Sequence, residues 1–228
     1  MKNILLIIIA LGIAQWWFKD PSIGGYDYVI KYSGSGNKDT NLSMLITLHG
    51  DGDTPENFYN TALDQFKTPA RIIILKAPKS YGAGYAWPWD PASLQEAGSA
   101  MDEAVRKLTL KFPTMGKPVL MGMSGGGRMA YYQALKYGNN YSYVFPISGM
   151  LSQEYLANDS SKPGAKVFAY HGKSDSVVSF DSGMVAAKLL REHDIDVEFT
   201  EFDGGHQGIF RNMKLEITQA IEQKLNTL

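Results

Sequence analysis

A serine between glycines lies at a predicted junction of a strand and a helix, and this junction limits the possible folds more than any other segment. Residues 118–121 (PVLM) are an apolar run typical of a buried strand, residues 122–126 read GMSGG, and residues 128–135 predict a helix. A Cβ in place of the flanking glycines would collide with the neighbouring strand or helix. Gly-x-Ser-x-Gly alone also arises by chance in glycine-rich loops, but this context predicts a strained corner that exposes the Ser124 hydroxyl.

Strands alternate with helices along the rest of the chain. We predict strands near residues 27–32, 44–48, 71–75, 143–147, 166–170 and 196–202, and helices near residues 93–111, 180–192 and 210–225. Ser93 and Glu96 have the spacing of a capping box that opens the first of these helices, after a loop at residues 77–91. The alternation is typical of an α/β fold with a doubly wound, mostly parallel sheet, which binds ligands beyond the carboxyl ends of its strands.

Composition excludes several classes of function. Of the 228 residues, 44% are hydrophobic, which suits a single α/β domain that we place at residues 20–228. Lys and Arg number 22 against 23 Asp and Glu, and neither sign forms a long run, so we expect no nucleic-acid partner. The absence of cysteine from the sequence excludes disulfides, thiolate catalysis and cysteine metal sites.

The N-terminus has the plan of a secretory signal peptide at residues 1–14. A short basic start precedes an apolar block at residues 4–13, and a small-x-small site predicts cleavage after Ala14. The block is shorter than the roughly 20 apolar residues that span a bilayer. An alternative is an uncleaved anchor that extends to about residue 18 and contacts the membrane surface through Trp16 and Trp17. Both interpretations predict a periplasmic or secreted protein.

A neutral serine is a poor nucleophile, so a base must take its proton and a third group must orient that base. His206 follows the last predicted strand and two glycines, at the end of the sheet where Ser124 is expected. We expect His49 and His171, which end strands, to hydrogen-bond nearby backbone, and His193, at a helix end, to be a solvated surface residue. His206 is therefore the predicted base.

Asp175 is the predicted acid, because it lies in a loop just after a strand and completes the chain order Ser, Asp, His. Asp203 is too near His206 in sequence to present its carboxylate easily, and Asp181 is expected to open a helix. Ser148 also ends a strand but lacks a glycine two residues before it, so we interpret it as a packing or hydrogen-bonding residue.

The tetrahedral intermediate of acyl transfer needs two hydrogen-bond donors aimed at its oxyanion. We predict that one is the backbone N–H of Gly125, the residue after the nucleophile, and that the other is the backbone N–H of Asp51. Asp51 lies in the loop at residues 49–53 (HGDGD), which follows an earlier strand. The alternative for these glycines is an ordinary tight turn.

Five segments in this order resemble the phospholipase/carboxylesterase family, which includes acyl-protein thioesterases. Residues 48–54 (LHGDGDT) are similar to its LHGxGD segment, residues 122–130 to its nucleophile elbow, and residues 147–151 to the strand end that follows. Residues 171–178 resemble its acid loop and residues 205–206 its histidine loop. The resemblance implies an α/β-hydrolase fold without a large lid and a cofactor-free esterase or thioesterase mechanism.

Two residues depart from the pattern of this family. Gly125 stands where many members carry glutamine, and Asp51 places a carboxylate side chain beside the oxyanion loop. Both departures leave the chemistry intact, but they leave the acyl group and the substrate open.

An aromatic loop at residues 81–90 (YGAGYAWPWD) lies where the family has a substrate-side segment. We predict that Tyr85, Trp87 and Trp89 form one wall of an acyl or aryl pocket, with Ile209 and Phe210 on the opposite wall. The alternative is that the tryptophans simply cover the end of the sheet.

Metal and cofactor sites are not predicted. His171 and Asp175 are four residues apart in a loop, and no third ligand is evident. The glycines around Ser124 have neither the lysine nor the spacing of a nucleotide-binding loop. The sequence therefore predicts a serine hydrolase for a small-molecule or lipid-like ester or thioester. Two alternatives stay open: a peptidase of the prolyl-oligopeptidase type, and a catalytically silent α/β-hydrolase fold that serves as a binding protein.

Overall fold

The computed structural model describes residues 21–156 and 164–228, which form a mixed sheet with helices on both faces. The strands are β1 (Ser22–Ile23), β2 (Tyr26–Ser33), β3 (Ser43–Leu48), β4 (Ala70–Leu75), β5 (Lys79–Tyr81), β6 (Gly84–Ala86), β7 (Val119–Met123), β8 (Tyr143–Ile147), β9 (Lys166–Gly172) and β10 (Val197–Phe202). The α-helices are α1 (Pro55–Phe58), α2 (Pro91–Lys111), α3 (Gly125–Tyr137), α4 (Phe180–Glu192), α5 (Gly208–Asn212) and α6 (Lys214–Leu225).

The main sheet has eight strands in the order β1-β2-β4-β3-β7-β8-β9-β10. Six neighbouring strands of this sheet run parallel, namely β4, β3, β7, β8, β9 and β10. At one edge, β2 pairs antiparallel with β4, and β1 pairs antiparallel with β2. Every residue of β3, β4 and β7 is buried, as expected of central parallel strands that are covered on both faces. The predicted doubly wound, mostly parallel sheet of an α/β-hydrolase fold is confirmed.

Two apolar clusters lie on opposite faces of the sheet. Neighbouring residues of β3 divide between them, since Ile46 joins the cluster beneath α2, α3 and α4, whereas Leu45 joins the cluster beneath α1 and α6. This division follows from the two-residue period of a strand, which sends successive side chains to opposite faces. The central strands are thereby fixed from both sides, and so are the loops at their ends.

Three local predictions differ from the structure. Helix α2 begins at Pro91 and is capped by Asp90, whose Oδ1 accepts a hydrogen bond from the Ser93 amide at 2.9 Å, so Ser93 is not the cap. The loop predicted at residues 77–91 contains the hairpin β5–β6. The predicted terminal helix is two helices, because Met213, at φ −130° and ψ 23°, leaves the helical conformation between α5 and α6.

The predicted signal peptide at residues 1–14, and its extension to about residue 18, lie outside the described residues. Within the part of the chain that the structure describes, no helix has both the length and the apolar character needed to cross a membrane.

Gly122, two residues before the nucleophile, leaves no room for a side chain, because the backbone of α3 lies close against it. A Cβ on Gly122 would lie 2.1 Å from the carbonyl oxygen of Gly126. We predict that Gly122→Ala lowers the free energy of unfolding by about 2 kcal/mol, as forced overpacking does. The control is Gly205→Ala, whose Cβ would meet its nearest atom, the Ser174 carbonyl oxygen, at an ordinary 3.5 Å. Urea unfolding checks both variants, and equal losses would contradict the prediction.

Candidate active site

The backbone of Ser124 is strained in the way the sequence predicted. Strand β7 ends at Met123 and helix α3 begins at Gly125, while Ser124 between them has φ 56° and ψ −116°. A non-glycine residue in this region costs of order 1–3 kcal/mol and persists only where its surroundings hold it. The amide of Ser124 donates to the carbonyl oxygen of Ile147 at 2.9 Å, and its own carbonyl oxygen accepts from Arg128 N at 2.9 Å. The corner is thus held by both the sheet and the helix.

The structure brings Ser124, His206 and Asp175 into one chain of hydrogen bonds. Nε2 of His206 lies 2.9 Å from Ser124 Oγ, and Nδ1 lies 2.8 Å from Asp175 Oδ2. An ionised carboxylate only accepts, so Nδ1–H donates to Asp175 and Nε2 is left to accept the serine proton. The Asp175 side chain is fully buried and that of His206 is 14% exposed. This arrangement can activate the hydroxyl as a nucleophile.

Asp175 is anchored by more groups than His206 alone. Its Oδ1 accepts from the amides of Val177 and Val178, each at 2.9 Å. Its Oδ2 also lies 3.3 Å from Nε2 of the buried His171, which donates to the carbonyl oxygen of Val178 at 2.9 Å. The carboxylate is therefore oriented independently of the base.

Ser148 and His49 make the kind of hydrogen bond to nearby backbone that the sequence predicted for them. Ser148 is buried, and its Oγ donates to the backbone carbonyl of His206 at 3.1 Å. His49 accepts from the amide of Ala77 at 3.1 Å through Nε2 and donates to the carbonyl oxygen of Gly50 at 2.7 Å through Nδ1. Burial lowers the pKa of His49, which keeps its ring neutral.

The predicted oxyanion donors lie on two segments that meet at Ser124. Gly125 begins α3, so its amide belongs to the first turn, where helix N–H groups have no partner within the helix. The loop that carries Asp51 lies against the serine, since a Cβ on Gly50 would lie 3.5 Å from Ser124 Cβ. In residues 21–156 and 164–228, neither the Asp51 nor the Gly125 amide donates a hydrogen bond to the protein. Both amides therefore remain available to an oxyanion.

A cavity of about 870 Å³ opens at Ser124 and His206. Its lining combines apolar and aromatic side chains with amides, hydroxyls and charged groups. The large apolar side chains of the described lining are those of Phe58, Tyr81, Trp89, Met123 and Phe210. Of the predicted wall residues, Trp89 lines this cavity and is 56% exposed. Phe210, the other residue predicted for the opposite wall, also lines it, whereas Phe58 and Tyr81 are wall residues that the sequence prediction missed.

The prediction of Trp87, Ile209 and Tyr85 as wall residues is wrong. Trp87 is fully buried, and its Nε1 donates to the carbonyl oxygen of His49 at 2.8 Å. Ile209 is also fully buried, in the apolar cluster beneath α6, so the next residue, Phe210, lines the cavity instead. Tyr85 lies outside the lining; its backbone pairs with Asp53 in the oxyanion loop, and the Lys76 ammonium lies 5.0 Å from the centre of its ring. Neighbouring side chains on an extended loop or a helix point in different directions, which the apolar character of the residues does not reveal.

Within the described ranges, no group of three or more histidine, aspartate or glutamate side chains is placed to hold a metal ion.

The chain is similar to a known protein family. The model of the family described as Phospholipase/Carboxylesterase matches residues 35–223. A search of curated proteins finds no match.

Solved structures share the fold. A protein of unknown function from Agrobacterium tumefaciens str. C58 aligns with a TM-score of 0.71 at 14% identity, over 90% of this chain and 100% of that one. The Bacillus cereus carboxylesterase aligns with a TM-score of 0.66 at 16% identity, over 86% of this chain and 94% of that one. Acyl-protein thioesterase 2 from Zea mays aligns with a TM-score of 0.64 at 22% identity, over 87% of this chain and 98% of that one.

The two tryptophans of the aromatic loop provide a matched pair for testing which one is structural. We predict that Trp87→Ala lowers the free energy of unfolding by about 3–5 kcal/mol, because it leaves a cavity and removes the donor to His49. Trp89→Ala should cost about 1 kcal/mol or less, since its side chain is largely exposed. Urea unfolding of both variants measures the difference. A loss at Trp89 equal to that at Trp87 would show that both are core residues.

Proposed function

This chain belongs to the phospholipase/carboxylesterase family, and we propose that it is a serine hydrolase that cleaves carboxylic esters or thioesters through an acyl-enzyme on Ser124. The observation that carries the proposal is the continuous chain from Ser124 Oγ through both nitrogens of His206 to Asp175, with links of 2.9 and 2.8 Å. Each link has the length of a good hydrogen bond.

The geometry supports a two-step acyl transfer. Ser124 Oγ attacks the acyl carbon and gives its proton to Nε2 of His206, while the buried carboxylate of Asp175 stabilises the imidazolium. The amides of Asp51 and Gly125 bind the oxyanion, each donor being worth roughly 3 kcal/mol. His206 then protonates the departing alcohol or thiolate. In the second step it takes a proton from the water that attacks the acyl carbon. The bond from this carbon to Ser124 Oγ then breaks, His206 returns the proton to Oγ, and the acid is released.

The shape of the cavity supports a small-molecule or lipid-like substrate. Trp89 and Tyr81 in its lining, together with the edge-to-face pair of Phe58 and Phe210, offer apolar contact to an acyl or aryl group. The length of the acyl chain is the property that an ester panel would determine directly.

A peptidase of the prolyl-oligopeptidase type that recognises the substrate amine is less well supported. Such an enzyme needs a carboxylate free to bind the substrate amine. Of the carboxylates at the cavity, Asp51 is paired with Arg128, and Asp53 Oδ1 accepts from Thr54 N at 2.8 Å and from Asn57 Nδ2 at 2.7 Å. The neighbouring acidic groups are thus already engaged.

Hydrolysis of p-nitrophenyl esters tests the proposal. We expect measurable turnover by the wild-type protein and a loss of roughly 10³-fold or more in Ser124→Ala, because no other hydroxyl of residues 21–156 and 164–228 hydrogen-bonds to His206 Nε2. A fluorophosphonate probe should label Ser124 and no other serine. Ser148→Ala is the control, since this serine also ends a strand with positive φ but donates to backbone, and labelling should persist.

Three results would contradict parts of this proposal. Full activity in Ser124→Ala would remove the nucleophile. Absence of any adduct on the wild-type protein would favour the silent binding protein. Faster turnover of an aminoacyl anilide than of p-nitrophenyl acetate would favour the peptidase.

Export remains a separate proposal that rests on the sequence alone. A cleaved signal peptide at residues 1–14 predicts a mature protein that begins at Gln15 in the periplasm or medium. N-terminal sequencing of the purified native protein checks this. An intact Met1 in protein that fractionates with membranes would support the uncleaved anchor, and an intact Met1 in cytosolic protein would exclude export.

A further inference from the structure

Two buried, oppositely charged side chains lie directly behind the proposed oxyanion hole. Asp51 Oδ2 and Arg128 Nη2 are 3.7 Å apart, and their side chains are only 9% and 2% exposed. Arg128 lies one turn after the nucleophile on α3, and its amide donates to the carbonyl oxygen of Ser124. The mechanism described above uses neither of these side chains.

The Asp51 carboxylate occupies the space of a missing side chain on the neighbouring segment. A Cβ on residue 125 would lie 2.2 Å from Asp51 Oδ1, so the carboxylate rests against the Gly125 backbone. The same Oδ1 accepts from the amide of Trp87 at 2.8 Å, which ties the oxyanion loop to the aromatic loop. The aspartate at 51 and the glycine at 125 are therefore one coupled arrangement.

A carboxylate in this position opposes catalysis unless its charge is offset. Negative charge develops at the oxyanion in the transition state, and a fixed negative charge nearby in a partly buried site raises the energy of that state. In the described part of the chain, Asp51 Oδ2 receives no hydrogen bond, so the guanidinium provides the offsetting charge. Burial raises the pKa of Asp51, and the charge of Arg128 acts in the opposite direction.

Arg128 also reaches the aromatic wall. Its guanidinium lies 4.1 Å from the centre of the Trp89 ring, and Nη2 donates to the carbonyl oxygen of Trp87 at 3.3 Å. Tyr155 fixes the same loop by donating to the carbonyl oxygen of Trp89 at 2.8 Å. One buried arginine thus contacts the elbow helix, the oxyanion-loop carboxylate and a wall of the cavity.

We infer that Arg128 is a positioning residue that neutralises the Asp51 carboxylate, so that this carboxylate orders the oxyanion loop without opposing the charge held by the Asp51 and Gly125 amides. The inference rests on the proposed function and adds a requirement to it. The charge balance between Asp51 and Arg128 must affect the energy of the transition state, and so kcat, more than it affects substrate binding. It follows that loss of Arg128 alone is more harmful than loss of both charges together.

Kinetics on a p-nitrophenyl ester test the charge balance. Arg128→Met keeps an unbranched apolar side chain but leaves the carboxylate uncompensated, and we expect kcat to fall about tenfold or more, with KM changed by about threefold or less. Arg128→Lys keeps the positive charge and should lose roughly threefold or less in kcat. The control is Arg106→Met on α2, which removes an exposed arginine paired with Asp102 and should leave kcat unchanged.

The decisive variant is Asp51→Asn with Arg128→Met. The amide oxygen of asparagine still accepts from Trp87 N, and both charges are gone, so kcat should recover at least about fivefold relative to Arg128→Met alone. Because both variants lack the contact with Trp89, the recovery isolates the charge. Circular dichroism and a thermal melt establish whether each variant is folded. If Arg128→Met does not fold, Arg128→Lys decides alone: a loss of more than about threefold in kcat would overturn the inference.

The outcomes separate this inference from the proposed function. If wild-type protein turns over the ester but the double variant is no faster than Arg128→Met, or Arg128→Lys loses as much as Arg128→Met, the inference is wrong and the function stands. If wild-type protein neither turns over esters nor labels at Ser124, the function itself is wrong.

Discussion

The strained backbone at Ser124 is the constraint on which the rest of the site depends. Its φ of 56° aims Oγ away from the sheet and toward His206, and a serine does not hold that conformation unaided. The hydrogen bonds to Ile147 and from Arg128 hold it on either side, and each requires strand β8 or helix α3 to be in place. The two apolar clusters that fix the central strands thus also maintain the nucleophile.

Parallel register brings the acid and the base together. Strands β9 and β10 pair so that Gly172 lies opposite Phe202, and the loops that carry Asp175 and His206 therefore leave the sheet side by side. Ser124 reaches the same edge because β7 ends level with its neighbours, Met123 opposite Ile147. Ser124, Asp175 and His206 are far apart in sequence, but short loops bring them together, since the carboxyl ends of parallel strands lie at one edge of the sheet.

The sequence was sufficient for what depends on residue type and order along the chain. Apolar runs marked the central strands, and the residue types and order of Ser124, Asp175 and His206 identified the residues that the structure brings into contact. It was insufficient where the outcome depends on which way one side chain points. Trp87 and Trp89 are equally apolar, yet the first packs in the core and the second lines the cavity. The sequence predicted that the Asp51 and Gly125 amides lie together, but not that the Asp51 carboxylate fills the space beside Gly125, because this too depends on the direction of one side chain.

The multiple anchoring of Asp175 has a consequence for timing. Two backbone amides and a buried imidazole orient this carboxylate whether or not His206 is in contact with it. The conformational entropy of the acid is therefore lost once, when the chain folds, and not again in each catalytic cycle. An excursion of the His206 side chain would leave its hydrogen-bond acceptor unmoved, so the imidazole would return to the same orientation before every turnover.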